Sequence, residues 1–242
     1  MQASLSGIVG TPVPGPEIGA NPISTVLLLA ALSLLPFLLM MMTSFLKFSV
    51  VLSILRVALG TQQVPPAPVV MGLAMVLSLY VMAPLGGQIY HRIEGQIVEQ
   101  SDHGVLTPGG ARSVLSALSA SREPVREFLK KHAHRDDVAV FYVNAQRSAE
   151  VQGKKASEVK EDDLLVLLPS FAVSELGEAF AIGFLLFLPF LVIDMVVSNI
   201  LLAMGMHMLS PTTVSLPFKL LLFVMVDGWR HLAQGLMQPY IS

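Results

Sequence analysis

The sequence predicts an all-α, membrane-associated protein with four long hydrophobic segments and a small helical, water-facing subdomain. Of its 242 residues, 53% are hydrophobic and only 13% are charged, and the mean hydropathy is +0.67. An average soluble domain carries about 25% charged residues. The apolar residues form runs that could cross a bilayer as helices, whereas the charged residues are concentrated in the middle of the chain.

Composition also excludes several classes of function. The net charge of -2 provides no basic surface for a phosphate backbone, so a nucleic-acid partner is not predicted. The absence of cysteine excludes disulfides, thiolate metal sites and cysteine nucleophiles.

The first 22 residues are rich in Gly and Pro and contain no Lys or Arg. A secretory signal begins with positive charges, so residues 1–22 are interpreted as a non-helical arm rather than an ordinary signal peptide. The first hydrophobic segment follows at residues 23–42, and its apolar character resumes after Lys47 and ends at Gly60. We predict one helix here that is long or is broken near Pro36.

The second hydrophobic segment covers residues 69–85. The proline-rich stretch at 62–68 predicts a stiff turn before it, and Pro84 with the glycine pair that follows predicts its end. The first two segments would therefore form a helical hairpin over residues 23–91.

A polar region follows at residues 92–165. Residues 92–163 hold 11 of the 15 Lys and Arg residues and 12 of the 17 acidic residues, so the region is nearly neutral and water-facing. Apolar residues at helical spacing predict two amphipathic helices, one that begins at Pro124 and one capped by Asp136 and Asp137. Their apolar stripes are interpreted as an internal core.

The last domain, residues 166–242, is predicted to be a second hydrophobic hairpin. It contains segment three at 180–204 and segment four at 214–237, each long enough to span a bilayer. Pro189 and Pro217 interrupt these segments, so a simple bundle of straight helices in lipid is not expected.

Among the charged residues in or beside the hydrophobic segments, five are candidates for buried or assembly contacts: Arg56, Glu175, Asp194, Lys219 and Asp227. A charge is tolerated there only where it faces protein or water and finds a partner. We predict the structural pairs Arg56 with Glu175 and Asp194 with Lys219. A proton relay through the same residues is the alternative.

The positive charges of the short loops predict the topology. Lys47 and Arg56 flank the first connection, which is therefore placed in the cytoplasm. With four crossings, both termini and the polar subdomain would lie on the outer side of the membrane.

Catalytic motifs are weak in this sequence, and no enzyme is predicted. Ser44 and Lys47 have the S-x-x-K spacing of some serine nucleophiles, but the companion motifs are absent and a lysine at a helix end is the simpler interpretation. His132 and His134 point apart on a helix, so they are interpreted as solvated and not as metal ligands. No metal site and no cofactor are predicted.

Methionine is abundant, with 13 residues in the chain. Three methionines and one histidine lie close together in sequence as candidate site residues: Met204, Met206, His207 and Met208. Thioether and imidazole groups could hold Cu(I). Methionine also fills irregular contacts, so a compliant seal and ordinary core packing are the other two interpretations.

Three blocks of sequence together resemble the FliP/SctR family, whose members are export-gate components of bacterial flagella and of type III secretion injectisomes. The blocks are MMTSFLKFSVVLSILRVALGTQQVPPAPVVMGLAM (41–75), LPSFAVSELGEAFAIGFLLFLPFLVIDMVVSNILLAMGM (168–206) and LSPTTVSLPFKLLLFVMVDGW (209–229).

The resemblance implies a kinked helical-hairpin subunit of the bacterial inner membrane. It would assemble as a pentameric ring with FliQ/SctS-like and FliR/SctT-like proteins, displaced toward the periplasm and in contact with membrane lipid, around a pore for unfolded secreted proteins. It would perform no catalysis and use no cofactor.

The resemblance also implies that the loop with Met204, Met206, His207 and Met208 closes the pore. His207 departs from the usual run of methionines and raises the hypothesis of a pH-responsive imidazole. The uncharged arm favours an injectisome over a flagellar system. The alternative hypothesis is a metal or ion transporter lined by methionine and histidine.

Overall fold

The computed structural model describes residues 30, 33–34, 36–60, 65–97 and 108–241. Within these ranges the chain is all-helical and forms no β-strand, which confirms the predicted fold class. Besides the short helical stretch 36–41 and a 3-10 turn at Ala156–Glu158, the helices are α1 (Phe45–Ala58), α2 (Ala67–Ile97), α3 (Pro108–His132), α4 (Arg135–Val151), α5 (Leu164–Ala203), α6 (Pro211–Met225) and α7 (Gly228–Ile241).

The described residues show a break at 42–44, between the helical stretch 36–41 and α1. Residue 35, beside Pro36, lies outside the described residues, so the expected break near Pro36 stays a prediction. The buried hydroxyl of Ser44 lies 3.1 Å from that of Ser78 on α2, which fastens the break to the neighbouring helix. Helix α1 begins immediately after it. The arm at residues 1–22 and half of the stretch 23–42 lie outside the described residues.

Helix α2 does not end near Pro84 as predicted, but continues to Ile97. A proline removes one backbone hydrogen bond, which an apolar helix tolerates when the turns beside it are held by packing. Val81, in the turn before Pro84, is buried in the main core. The predicted domain boundary at residue 92 therefore falls inside a helix, and the domain division itself stays a prediction.

The polar region does contain two helices, α3 and α4, but Pro124 is buried inside α3 instead of beginning it. Helix α4 starts one residue before Asp136, close to the predicted position. The apolar stripes pack against α5 in a small second core around Leu129, Leu167 and Phe171. The two amphipathic helices therefore bury their apolar faces on the long helix that follows them.

Helix α5 is the longest element, with 40 residues. At 1.5 Å per residue it extends about 60 Å, twice the thickness of a hydrocarbon core. It begins 16 residues before predicted segment three and passes through Pro169 and Pro189 without a break. It contacts α1, α3, α4 and α6, so it is the axis on which the other helices pack.

Predicted segment four is two helices, α6 and α7, which meet at an angle of 62°. The bend lies at Val226 and Asp227, not at Pro217, and Asp227 has a left-handed backbone with φ of 50°. Gly228 starts α7 because a Cβ atom there would lie 2.3 Å from the Phe223 ring. The tight corner between the helices therefore requires this glycine.

The main core forms where α1 packs between α2 and α5. Phe48, Val51 and Leu55 of α1 are buried there, together with residues of α6 and α7. Gly183 of α5 allows the close approach, because a Cβ atom at this position would lie 2.4 Å from the Ile54 side chain.

The prediction of four membrane-crossing segments is not confirmed. Among the described residues, two helices are long and apolar enough to cross a membrane, the stretch Ala67–Arg92 of α2 and the whole of α5. The bent pair α6 and α7 would make a third if it counts as one span. The described part of the first segment contributes only the 14 residues of α1 and the few helical residues before it.

Candidate gate loop and buried charge clusters

The methionine-rich loop leaves α5 through a Schellman motif. The amide of Gly205 donates to the Leu202 carbonyl at 3.0 Å, and the amide of Met206 donates to the Leu201 carbonyl at 2.9 Å. Gly205 has φ of 74°, a left-handed conformation that glycine adopts without a steric cost. The position of Met206 is therefore fixed by backbone hydrogen bonds.

The structure separates the methionines of this loop into two environments. Met204 and Met206 line an apolar groove of about 600 Å³ between α5 and α6, with Val196, Ile200 and Phe218 among its walls. Met208 is 100% exposed. Two thioethers thus line a groove of the same chain while staying partly exposed, whereas the third is entirely available to another molecule.

A buried ion pair joins α5 to α6 as predicted. Lys219 is 2% exposed, and its Nζ atom lies 2.6 Å from Oδ2 of Asp194. The Ser215 hydroxyl donates to the other oxygen of Asp194 at 2.5 Å. Asp194 thus accepts hydrogen bonds at both oxygens, which is what a carboxylate needs when it leaves water.

Lys219 has a third contact that the sequence did not reveal. It donates to the backbone oxygen of Ala58, the last residue of α1, at 3.1 Å. The last carbonyls of a helix lack partners within it and carry a partial negative charge, so a lysine there is favourable. Gly60 turns the chain away with φ of 75°, and a Cβ atom there would lie only 3.5 Å from Nζ of Lys219.

The predicted pair of Arg56 with Glu175 is replaced by another one. Glu175, which is 1% exposed, lies 3.3 Å from Nζ of Lys47. Lys47 precedes Arg56 by nine residues on α1, about 13.5 Å along the helix axis, so Glu175 packs at the opposite end of α1. The sequence indicated that Glu175 needs a cationic partner on α1, but it could not show which turn of α1 supplies that partner.

Lys47 is the centre of a larger group, here called the Lys47 cluster: Lys47, His132, His134, Glu175, Glu178 and Tyr240. Lys47 Nζ lies 2.6 Å from Oε2 of Glu178, and His134 Nε2 lies 2.7 Å from Oε1 of the same carboxylate. The Tyr240 hydroxyl donates to Glu175. Four helices and the α3–α4 junction meet here.

His132 is not solvated, contrary to the prediction, and His134 lies between two helices with an extended backbone instead of on one helix with His132. Its ring centroid lies 4.7 Å from that of Phe128 and 4.8 Å from that of Tyr240. Burial, together with the positive charges of Lys131 and Lys47, lowers the pKa of His132 to about 4, while Glu178 acts in the opposite direction. The imidazole is therefore held neutral over a wide range of pH.

The S-x-x-K spacing does not create a nucleophile. Ser44 bonds to Ser78, whereas Lys47 is engaged by two glutamates. Among the described residues, no three His, Asp or Glu side chains converge to hold a metal ion.

Comparison with known proteins identifies the family. A sequence model of the FliP family matches residues 28–236. The chain belongs to the FliP family. Hypersensitivity response secretion protein HrcR of Ralstonia nicotianae is 45% identical over 217 residues, which cover 90% of this chain and 96% of the relative.

Two further relatives are named, one for protein translocation and one for the flagellum. Yop proteins translocation protein R of Yersinia pestis is 46% identical over 220 residues, 91% of this chain and 97% of the relative. Flagellar biosynthetic protein FliP of Pectobacterium carotovorum is 42% identical over 241 residues, 99% of this chain and 87% of the relative. The similarity to FliP-family proteins thus extends over nearly the whole chain.

In this FliP-family chain, two of the five predicted buried charges occupy other environments. Asp227 is exposed at the α6–α7 bend, where its carboxylate lies 3.1 Å from Arg230, so the expectation of a buried charge is wrong within the single chain. Arg56 is half-buried and lines a small cavity of about 160 Å³ beside Leu52, Leu59 and Trp229.

Proposed function

We propose that this chain is a pore-forming structural and gating subunit of the type III secretion export apparatus, which passes unfolded proteins across the bacterial inner membrane. The observation that carries the proposal is the similarity, over about nine-tenths of the chain, to HrcR and to Yop translocation protein R. The first relative is named for secretion and the second for translocation of Yop proteins. The relatives favour this function over the metal or ion transporter that the methionines also suggested.

The architecture supports a subunit that assembles. Many apolar side chains of α5 and α6 are exposed, including Phe184, Leu185, Val224 and Met225. Exposed apolar area of this extent needs lipid or protein partners. We infer a ring of copies, a pentamer, joined by FliQ/SctS-like and FliR/SctT-like membrane proteins.

The gate is assigned to the loop with Met204, Met206, His207 and Met208. In a ring, copies of the fully exposed Met208 would converge on the axis, and flexible thioethers can close on themselves or mould around a polypeptide in transit. The Schellman motif at the end of α5 would hold each loop at one height. No catalytic step is assigned to this chain.

The polar helices α3 and α4 are assigned to the periplasmic side, as the loop charges predict. The two types of relative have comparable identity, 45–46% against 42%, so the choice of an injectisome over a flagellum is put to a deletion strain. Secretion of effector proteins with intact motility in a deletion strain would overturn the injectisome assignment. Loss of secretion with intact motility would support it.

The first test is native mass spectrometry of the detergent-extracted protein, co-expressed with its genomic neighbours. We expect a discrete ring of this chain joined by two other small hydrophobic proteins. A monomer or dimer that retains copper, and loses it in His207→Ala, would replace the export proposal with the transporter.

A further inference from the structure

The Lys47 cluster holds the C-terminal end of α7 against the rest of the fold. Tyr240 lies one residue before the end of α7, and its hydroxyl donates to the buried Glu175 of α5. Its ring makes an edge contact with Phe48 of α1 at 5.7 Å. The same ring faces Phe128 and His132 of α3. One tyrosine therefore docks α7 on three other helices.

Two basic groups approach this one aromatic ring. Nζ of Lys47 lies 4.6 Å from the centroid of Tyr240, a cation–π distance, and the imidazole of His132 lies 4.8 Å from the same centroid. A neutral imidazole packs well here. A protonated one would place a second cation beside an ammonium group that is already buried, with Lys131 as a third positive charge next to it.

The acidic groups of the cluster are already engaged. Glu178 of α5 offers Oε2 to Lys47 and Oε1 to His134, and Glu175 offers Oε2 to both Lys47 and Tyr240. Asp137 of α4 accepts a hydrogen bond from Ser174 at 2.6 Å. Three of the four carboxylate oxygens of Glu175 and Glu178 are therefore already engaged, and a proton on His132 would compete with Lys47, His134 and Tyr240 for them.

We propose that His132 makes the docking of α7 dependent on pH: a neutral imidazole holds Tyr240 in the cluster, and protonation of His132 releases the C-terminal end of α7. The release is a local event, because Leu232 and Leu236 anchor the earlier turns of α7 in the main core independently of the cluster.

The direction of the effect follows from linkage between protonation and docking. In the docked state the pKa of His132 is lowered to about 4, whereas a released, solvated imidazole has a pKa of about 6.5. The docked state therefore binds fewer protons between these two values. The equilibrium constant for docking is therefore highest above pH 6.5 and falls as the pH approaches 4. It falls by at most about tenfold per pH unit and by about 300-fold in total.

Spin labels test the proposal directly, because the chain has no cysteine of its own. Glu127→Cys on α3 and Gln238→Cys on α7 both replace exposed residues. The distance between the two labels is measured by pulsed electron paramagnetic resonance (double electron–electron resonance) on the full-length protein in detergent, from pH 7.5 to pH 4.5. Circular dichroism at each pH reports the helix content.

We expect one narrow distance at pH 7.5 and a longer, broader component that grows below pH 6.5 while the helix content stays constant. His132→Phe keeps an aromatic ring and cannot take up a proton, so it should stay docked throughout. His132→Gln is a second neutral variant in case the first folds poorly. His134→Gln is the matched control and should keep the pH response.

Three results would each overturn the proposal. The first is a distance distribution that does not change with pH, and the second is an unchanged pH response in both His132 variants. The third is a loss of helix content in parallel with the longer distance, since that would mean global unfolding. The function proposed above has a separate test, because assembly with the neighbouring proteins does not depend on this response.

Discussion

Nζ of Lys219 lies 3.1 Å from the backbone oxygen of Ala58, so a lysine of α6 caps the carboxyl end of α1. The same atom pairs with Asp194 of α5. One ammonium group therefore joins three helices that are far apart in sequence. Because it is buried, its charge is compensated only as long as both partners are present.

Removing this cation should destabilise the fold. Lys219→Met removes the cation that compensates the Asp194 carboxylate and the donor of the Ala58 carbonyl, at a cost of about 3 kcal/mol, while the Ser215 hydroxyl still donates to Asp194. Thermal unfolding in detergent, followed by circular dichroism, measures the loss. The double variant Lys219→Met with Asp194→Leu should recover most of it, since no isolated charge remains. A double variant less stable than Lys219→Met would contradict the pairing.

The partner of Glu175 can be decided by double-mutant cycles. We expect Glu175→Gln and Lys47→Met to be coupled by more than about 1 kcal/mol, because their charges meet at 3.3 Å in a buried site. Glu175→Gln and Arg56→Met should be additive within about 0.5 kcal/mol. The reverse pattern would restore the pair predicted from sequence.

Gly228 should tolerate no side chain. In Gly228→Ala the new Cβ atom would lie 2.3 Å from the rigid ring of Phe223, so we expect a loss of about 1–3 kcal/mol in the free energy of unfolding. Gly235→Ala is the control on the same helix, because no atom lies within 4 Å of its Cβ position. It should be neutral or slightly stabilising. Equal effects of the two substitutions would rule out the steric explanation.

The two methionine environments predict different consequences for truncation. Met208→Ala should leave the stability of the isolated chain within about 0.5 kcal/mol of the parent, since the side chain is fully exposed. In assembled complexes reconstituted into vesicles, Met206→Ala with Met208→Ala should increase the leak of small ions. Met206→Leu with Met208→Leu is the control that keeps apolar volume. Assembled double-alanine complexes that stay tight would show that the gate lies elsewhere.

The sequence determined the composition-driven properties of this protein by itself. Long apolar runs and a neutral polar region were enough to predict an all-helical chain, and three distinctive blocks were enough to predict the FliP family. These signals are local or are carried by many residues at once, so they do not depend on tertiary packing. Asp194 and Lys219 could also be paired in advance, since two opposite charges in neighbouring apolar segments have few other partners.

Helix boundaries were less predictable. Pro84, Pro124 and Pro189 all lie inside helices, although each removes one backbone hydrogen bond. Buried residues nearby, such as Val81 and Phe190, hold the adjoining turns in place. Conversely, the real bend at Asp227 carries no proline and is set by the contact of Gly228 with Phe223.

Only the tertiary structure decided which distant residues meet. Lys47 and Glu178 are separated by 131 positions, and Glu175 and Tyr240 by 65, yet they form one cluster with His132 and His134 around the buried Lys47. No periodicity or spacing along the chain encodes such contacts, because they depend on the register with which α1, α3 and α7 pack on α5. The sequence thus determined the class of the protein and its helical content, whereas packing determined the bends, the ion pairs and the surroundings of every buried charge.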